Sequence, residues 1–239
     1  MDQQIPLPLI LDPELSFDRF VSGPNEEAVA FLRLCANGKG PRQIFIHGNK
    51  GLGKSHLIQA TAIECARAQR SVIVLDFSEY ERFEPEVLEG LDQLDLVCLD
   101  HVDAISGISE WEEALFAFYH EMAEQDGALV VTSSMAPEVL PFSLPDLRSR
   151  MQSGLIFKLH PLNEDQMLLA LKEKAGSMGV ELPLSSARYL MRHERRELST
   201  LINILERLER SSLAKQRKLT IPFIKQALMQ IDRALNPED

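Results

Sequence analysis

The feature that most constrains this chain is a glycine-rich segment between an apolar stretch and a helical one. The segment fits the pattern G-x-x-x-x-G-K-S and consists of Gly48, Asn49, Lys50, Gly51, Leu52, Gly53, Lys54 and Ser55. Residues 43–47 before it predict a short buried strand, and residues 54–69 after it predict a helix. Glycines let a backbone wrap a phosphate, and the helix N-terminus adds a positive dipole. The context predicts a phosphate-binding loop, with Lys54 on the β- and γ-phosphates and Ser55 on Mg²⁺.

Four further apolar stretches predict the rest of a sheet. They cover residues 71–76, 94–100, 128–133 and 154–159. Helical periodicity separates them, as in residues 109–125, whose aromatic stripe we interpret as core packing and not as a base-stacking site. Near-continuous apolar strands that alternate with helices are typical of a parallel sheet covered on both faces. We therefore predict an α/β domain with a five-stranded parallel sheet.

The pattern changes after residue 160. Residues 163–178, 184–193, 197–213 and 221–235 have helical periodicity and no strong strand. We predict an α/β domain over 16–160, with a helix that begins at Asn25 as its cap, and a small all-helical domain over 161–239. Three prolines disfavour regular structure at the start of the chain, so residues 1–15 are expected to form an extended arm.

Composition excludes several classes of protein. The 239 residues carry a formal net charge of −11, which argues against a protein whose affinity comes mainly from neutralising many DNA phosphates. Cys35, Cys65 and Cys98 are far apart in apolar settings, so we expect buried thiols in a reducing cytosol. The N-terminus lacks the basic region of a signal peptide, and no apolar run reaches the length of a membrane span. We expect a soluble cytoplasmic protein with no membrane partner.

Asp100 ends the third predicted strand. A P-loop protein needs an acid there to hold the Mg²⁺ shell, although a strand-end aspartate also occurs without that role. The next residue is His101, where many P-loop ATPases carry a second acid, and this predicts weak intrinsic hydrolysis. Asp103, two positions further on, is the one nearby acid that could compensate.

Three segments resemble the bacterial initiator DnaA, a member of the AAA+ family. Residues 16–25 resemble its adenine-side segment, residues 146–150 the segment that carries its arginine finger, and residues 196–198 its sensor-2 helix. The resemblance runs from about residue 15 to 235. It implies a P-loop AAA+ core followed by a helical lid.

The resemblance also implies roles for individual residues. Phe20 and Val21 would contact the nucleotide beside the loop, and Arg196 would face it from the lid. Arg150 would act as an arginine finger in trans, with Arg148 as the alternative. Ser134 stands where the DnaA pattern has an acid, which leaves sensing of the γ-phosphate open.

The two ends of the chain resemble the Hda family of DnaA-homologous regulatory inactivators. We expect no helix-turn-helix DNA-binding domain, since few residues follow position 235, and no N-terminal helicase-contacting domain. A short N-terminal segment resembles the clamp-binding hexapeptide of that family, in which a glutamine binds a pocket rim and leucines enter an apolar groove. A tail without a partner, or an arm folded back on its own domain, is the alternative. The segment consists of Gln4, Ile5, Pro6, Leu7, Pro8 and Leu9.

The resemblance therefore implies a negative regulator of replication initiation. Its partners would be the sliding clamp (the β subunit of DNA polymerase III) and DnaA, whose bound ATP it would help to hydrolyse while holding ADP, or ATP, with Mg²⁺ itself. DNA would be contacted only through the clamp, which would associate the protein with the nucleoid, and self-association is open. Two rivals remain: an autonomous AAA+ ATPase, and a DnaA-like helicase loader or single-stranded DNA binder. The second would need a basic channel, and residues 215–218 offer only a modest basic cluster.

Overall fold

The computed structural model describes residues 12–193, 198–215 and 219–235. The chain divides into two compact units, residues 1–160 and residues 161–239. Among the described residues, no helix combines the length and the apolarity that crossing a membrane requires.

A five-stranded sheet forms the centre of the first unit, and all of its paired strands are parallel. The strand order is β2-β3-β4-β1-β5. This confirms the predicted fold class. Because the strands are parallel and in register, the carboxyl ends of β1 and β4 meet, as do those of β2 and β3. The strands are β1 (Gln43–His47), β2 (Val72–Asp76), β3 (Leu96–Asp100), β4 (Ala128–Ser133) and β5 (Leu155–Lys158).

Helices cover both faces of this sheet, because alternate strand residues point to opposite sides. On one face, Phe45 and its neighbours pack against the predicted aromatic stripe, which is core as expected. On the other face, Ile44 and Ile46 pack against the first two helices. Cys35, Cys65 and Cys98 are buried free thiols on that side, and burial raises the pKa of Cys35 to about 12. The helices of this unit are α1 (Glu26–Ala36), α2 (Lys54–Arg67), α3 (Ser109–Glu124) and α4 (Pro145–Met151).

The second unit is all helical over its described residues, as predicted. Asn163 and Gln166 form a capping box at the start of its first helix, with both side chain to backbone bonds at 2.9 Å. A single cluster of mostly aliphatic residues forms its core, with Leu171, Leu190, Leu201, Leu205 and Ile224 fully buried. Its helices are α5 (Glu164–Ser177), α6 (Leu184–His193), α7 (Leu198–Lys215) and α8 (Ile221–Leu235).

Three local predictions were wrong in part. The arm predicted as extended over residues 1–15 ends in a 3₁₀ turn, Pro13–Leu15, because Pro13 fits a first helical position and the Asp12 carboxylate accepts from the Glu14 N–H at 2.9 Å. Asn25 occupies the N-cap position of α1, as predicted, but the capping bond expected from its side chain is absent. Its amide instead donates to the His160 carbonyl at 3.0 Å and accepts from the His160 N–H at 2.8 Å. The third strand begins at 96 and not at 94, because a 3₁₀ turn occupies residues 91–93.

Candidate functional site

The phosphate-loop sequence lies between β1 and α2, where the motif places it. Gly53 is the N-cap of α2 and adopts φ 89°, a left-handed conformation that glycine reaches without strain. A Cβ at this position would lie 2.7 Å from the Phe20 ring, so the space also requires glycine. Gly48 and Gly51 have positive φ as well. The loop therefore has the backbone freedom that wrapping a phosphate requires.

Lys54 is the first residue of α2 and is only 6% exposed. Its Nζ donates to the Gly48 carbonyl at 2.7 Å and to the Asn49 carbonyl at 3.1 Å, which holds the ammonium over the loop. Burial lowers the pKa of Lys54, although the nearby carboxylates of Asp100 and Asp103 oppose this shift. A poorly solvated cation at a helix N-terminus is a strong anion site, so this part of the structure fits a bound phosphate.

Asp100 lies at the end of β3 and is 3% exposed. Its Oδ1 accepts from the Thr132 hydroxyl and from the His101 N–H, the latter at 3.1 Å. These bonds fix the carboxylate in one orientation near Lys54. Ser55, the other expected metal ligand, is exposed, and its hydroxyl makes no hydrogen bond with any described residue. Fixed and free oxygen donors of this kind fit the preference of Mg²⁺.

His101 follows Asp100 in a left-handed conformation with φ 56° and ψ 44°. Its Nδ1 lies 2.9 Å from Oδ1 of Asp76, which ends the neighbouring strand β2. This hydrogen bond raises the pKa of His101 against the effect of burial. Burial raises the pKa of Asp76, but bonds from His101 and from the Ser78 N–H prevail and lower it. The Nδ1 atom of the ring is therefore committed to Asp76. Sequence reasoning missed Asp76, although it ends its strand as Asp100 does.

Asp103 is bound to the loop that follows β4. Its carboxylate accepts from the Ser134 N–H at 3.1 Å and from the Ser134 hydroxyl at 2.5 Å. Asp103 was the one candidate to replace the missing second acid, and its two oxygens are engaged here. The structure thus places the carboxylate of Asp103 beside Ser134.

The adenine-side segment packs on the first turn of α2. The Phe20 ring makes an edge contact with the His56 ring at 5.2 Å between centroids. His56 Nε2 also lies 3.0 Å from the Ser16 carbonyl. Phe20 is thereby placed beside the phosphate loop, and Val21 after it is half-buried. Arg196 and the hexapeptide at residues 4–9 lie outside the described residues.

The two candidate finger arginines differ in their surroundings. Arg148 is partly buried, and its guanidinium donates to the Phe142 carbonyl at 3.0 Å. Arg150 is exposed, and among the described residues its guanidinium has no hydrogen bond or ion pair. Of the two, Arg150 alone offers an uncommitted cation to solvent.

Arg150 and the phosphate loop lie at opposite ends of β1. The Arg150 carbonyl accepts from the side chain of Gln43, the first residue of β1, at 2.7 Å, whereas the loop follows His47, its last residue. Four residue steps along a strand span ~13 Å. The backbone that carries the Arg150 guanidinium therefore belongs to the edge of the sheet away from its own phosphate loop.

A small cavity opens at the same amino-terminal edge. Its volume is about 120 Å³, and Gln43, Tyr119, Arg150 and Ser153 contribute to its lining. Pockets for nucleotide-sized ligands usually measure about 300–1,000 Å³, so this one is too small for a nucleotide. At this edge, the group that can take part in a reaction is therefore the guanidinium of Arg150, whereas the cavity cannot hold a nucleotide.

Two family models match the chain. The bacterial DnaA ATPase domain matches residues 11–158, and the Hda lid domain matches residues 164–228. The first match covers more than half of the chain. The protein belongs to the bacterial DnaA ATPase-domain family. Together the two matches confirm the resemblance seen in the sequence, which is that of a DnaA-homologous AAA+ protein with an Hda-type lid.

Solved structures of DnaA and of another AAA+ protein share this fold. Domain III of DnaA from Thermotoga maritima superposes with a TM-score of 0.80 at 22% identity, over 92% of this chain and 98% of that one. AMPPCP-bound DnaA from Aquifex aeolicus gives 0.71 at 22% identity, over 82% and 66%. The Holliday junction branch migration motor RuvB from Thermotoga maritima gives 0.69 at 18% identity, over 90% and 71%. At these identities the likeness establishes the AAA+ fold.

Proposed function

We propose that this DnaA-like chain is a negative regulator of replication initiation that promotes hydrolysis of ATP bound to DnaA. The observation that carries the proposal is the position of Arg150. Its guanidinium is exposed and unpaired among the described residues, and its backbone lies at the edge of the sheet opposite its own phosphate loop. An arginine in that place serves a neighbouring molecule's nucleotide, and the family relationship makes DnaA the natural neighbour.

The chain's own loop would hold ADP or ATP. Lys54 and the glycine-rich loop would bind the phosphates, Phe20 and Val21 would contact the nucleotide on the adenine side, and Arg196 would approach from the lid. A relative supports this assignment, since DnaA from Aquifex aeolicus has been solved with AMPPCP bound. Ser55 and Asp100 would hold Mg²⁺, which when bound neutralises charge on the phosphates.

The contacts around His101 support retention of this nucleotide in preference to its turnover. A hydrolytic site needs a free acceptor that orients the attacking water. The bond from Nδ1 of His101 to Asp76 raises the pKa of the ring and so favours its protonated form, which has no acceptor, and each oxygen of Asp103 accepts from Ser134. With these groups engaged, a bound nucleotide would act as a structural cofactor, and ADP would serve as well as ATP.

The guanidinium of Arg150 would act electrostatically on the ATP bound to DnaA. During phosphoryl transfer, negative charge accumulates on the transferring group, and a guanidinium placed beside it stabilises that charge. Arginine fingers contribute about 10³–10⁵ in rate. DnaA would be converted to its ADP-bound form, which would switch the initiator off.

The N-terminal hexapeptide would bring the protein to its partner. Residues 4–9 alternate apolar residues and prolines after a glutamine, a pattern suited to an apolar groove on the sliding clamp. The prolines reduce the conformational entropy lost on binding. A clamp loaded on DNA would then concentrate the regulator where replication has begun.

Hydrolysis of labelled ATP preloaded on DnaA, with clamp on DNA, tests the finger. We expect Arg150→Ala to lower the stimulated rate about 1,000-fold, as for other arginine fingers. Arg148→Ala should have a much smaller effect, since its guanidinium is bound to the Phe142 carbonyl. Arg67→Ala, at an exposed position on α2, is the matched control. Equal rates for wild type and Arg150→Ala would overturn the proposal.

Deletion of residues 1–9 tests the clamp contact. We expect pull-down by the clamp to be lost while nucleotide affinity is retained, because the deletion removes none of the residues proposed to bind the nucleotide. The full chain, assayed in parallel, is the reference. Equal recovery of the full and shortened chains would remove the clamp from the proposal.

The two rival functions have their own signatures. Phosphate release near 1 s⁻¹ by the purified chain alone, at the low end of typical enzymes, would favour an autonomous ATPase. Strong, salt-dependent binding of single-stranded DNA without clamp would favour a helicase loader. We expect neither.

A further inference from the structure

We propose that Gln43 is a positioning residue for Arg150: its side-chain amide holds the last carbonyls of α4, and so fixes the backbone from which the guanidinium extends. This inference rests on the finger role proposed above and deepens it. Gln43 belongs to β1, and it is separated from Arg150 by 107 positions in the chain.

The contacts form a small network at the end of α4. Gln43 Nε2 donates to the Arg150 carbonyl at 2.7 Å and lies 3.5 Å from that of Met151. The Ser153 hydroxyl lies 3.0 Å from Gln43 Oε1 and 2.7 Å from the Arg150 carbonyl. The Arg150 carbonyl also accepts from the Ser153 N–H at 3.1 Å, so Ser153 closes the end of the helix locally, and the Gln43 amide is the bond that ties this end to β1.

The start of α4 is held as well. The fully buried Glu112 carboxylate accepts from the Ser143 N–H at 3.1 Å and from the Leu144 N–H at 3.0 Å, immediately before the helix. Arg148 adds its bond to the Phe142 carbonyl. The helix is therefore tied at both ends, while the Arg150 side chain remains exposed and without a partner among the described residues. The backbone is fixed, and the side chain is free to reach another molecule.

This arrangement suits a group that must act at a defined point. Helix α4 has only seven residues, and a helix that short does not persist without tertiary contacts. Without the Gln43 amide, the last turn would keep its bonds from Ser153 but lose its tie to β1, and the guanidinium would sample a wider volume. Displacement of a catalytic group by about 1 Å can cost up to 100-fold in rate. The loss should therefore appear in the rate of hydrolysis and not in the affinity between the proteins.

Gln43→Met tests the proposal, because methionine has a similar length but cannot donate to the Arg150 carbonyl. We expect the maximal stimulated rate of single-turnover hydrolysis on DnaA to fall about tenfold, with the half-saturating concentration within about twofold of wild type. Gln43→Glu retains an acceptor for Ser153 but loses the donor, so it should be equally impaired. Gln152→Met, at an exposed neighbouring glutamine whose side chain makes no hydrogen bond with any described residue, is the matched control.

A double-mutant cycle separates positioning from general packing. In an Arg150→Ala background, Gln43→Met should lower the remaining rate less than about twofold, because its effect passes through the guanidinium. An equal loss in both backgrounds would overturn the positioning role, as would a wild-type rate for Gln43→Met.

If Gln43→Met does not fold, Gln43→Glu carries the same test. If Arg150→Ala itself has no effect, the finger proposal fails and this inference fails with it. If Arg150→Ala is slow and both Gln43 variants are normal, the positioning role alone fails.

Discussion

The phosphate-loop site and Arg150, which lie at opposite edges of the sheet, differ in whether their charged side chains have partners. At the carboxyl-terminal edge, charged side chains bind one another or nearby backbone: Lys54 binds loop carbonyls, His101 binds Asp76, and Asp103 binds Ser134. At the amino-terminal edge, the Arg150 guanidinium is exposed and unpaired among the described residues, although its own carbonyl is firmly held.

Under the proposed function, this difference separates the site that would hold the chain's own nucleotide from the residue that would act on the nucleotide of DnaA. At the phosphate loop, His101, Asp76 and Asp103 already have partners, so fewer of their atoms are available to a bound nucleotide. A free cation on a fixed backbone does little for its own molecule but can enter another. Helix α4 begins directly after the turn that Glu112 holds and ends beside Arg150, so it positions the arginine at the amino-terminal edge.

The largest expected effect tests whether the fixed backbone of α4 depends on Glu112. Its carboxylate is fully buried and accepts three N–H groups, from Gly107, Ser143 and Leu144. Glu112→Ala should lower the free energy of unfolding by about 4 kcal/mol, because each of the three partly buried N–H groups left without an acceptor costs about 1–3 kcal/mol and water will reach some of them. Urea unfolding followed by fluorescence of Trp111, the single tryptophan, measures it.

The exposed neighbour Glu113 supplies the control for this change. Glu113→Ala should alter the free energy of unfolding by less than about 0.5 kcal/mol. A loss below about 1 kcal/mol for Glu112→Ala would mean that the three N–H groups find other partners, and that α4 is not held from this side.

The second-largest expected effect is a change in nucleotide affinity, compared between a substitution at each edge of the sheet. Lys54→Ala should weaken binding of ADP with Mg²⁺ by about 100-fold, equal to about 2.7 kcal/mol, because the buried ammonium is the principal cation over the loop. Arg150→Ala should bind as wild type does, since its backbone lies at the other edge. Isothermal titration measures both, with Lys39→Ala at an exposed position before β1 as control. Equal losses for Lys54→Ala and Arg150→Ala would contradict the division between the edges.

The smallest effect concerns the pair of His101 and Asp76. The hydrogen bond between them raises the pKa of His101 in the folded state. The ring therefore makes its full contribution to the free energy of unfolding below its unfolded-state pKa of about 6.5, and this contribution is lost as the pH rises through the folded-state pKa. The pKa of Asp76 is lowered in the folded state. This carboxylate therefore makes its full contribution to the free energy of unfolding above its unfolded-state pKa of about 3.9, and the contribution is lost as the pH falls through the folded-state pKa. The pair therefore stabilises the folded state most between about pH 4 and 6.5.

His101→Asn tests this window. Both side chains of the pair are more than a third exposed, so the loss at pH 5 should stay below about 1 kcal/mol, and it should shrink at pH 8.5. Urea unfolding at the two pH values measures the difference, with His120→Asn at an exposed position on α3 as control. The same loss at both pH values would show that the charged pair is not its source.

Much of the site could be predicted because its signals are local in the sequence. The phosphate loop is eight consecutive residues between a strand and a helix, and Asp100 ends an apolar run. The surroundings of these residues could not be predicted. Asn25 satisfies the usual preference for a helix cap, yet its amide binds His160, because a contact across 135 positions satisfies both halves of that amide.

The sequence by itself determined the fold class, the order of strands and helices along the chain, and the loop chemistry, because hydrophobic period, glycine spacing and capping residues act over a few neighbouring positions. Only the tertiary structure decided which side chains meet. Gln43 with Arg150, His101 with Asp76 and Asp103 with Ser134 are brought together by strand order and by the packing of α4. The physical reason is that a hydrogen bond needs donor and acceptor within about 3 Å, and no local pattern encodes which distant segments the parallel sheet places side by side.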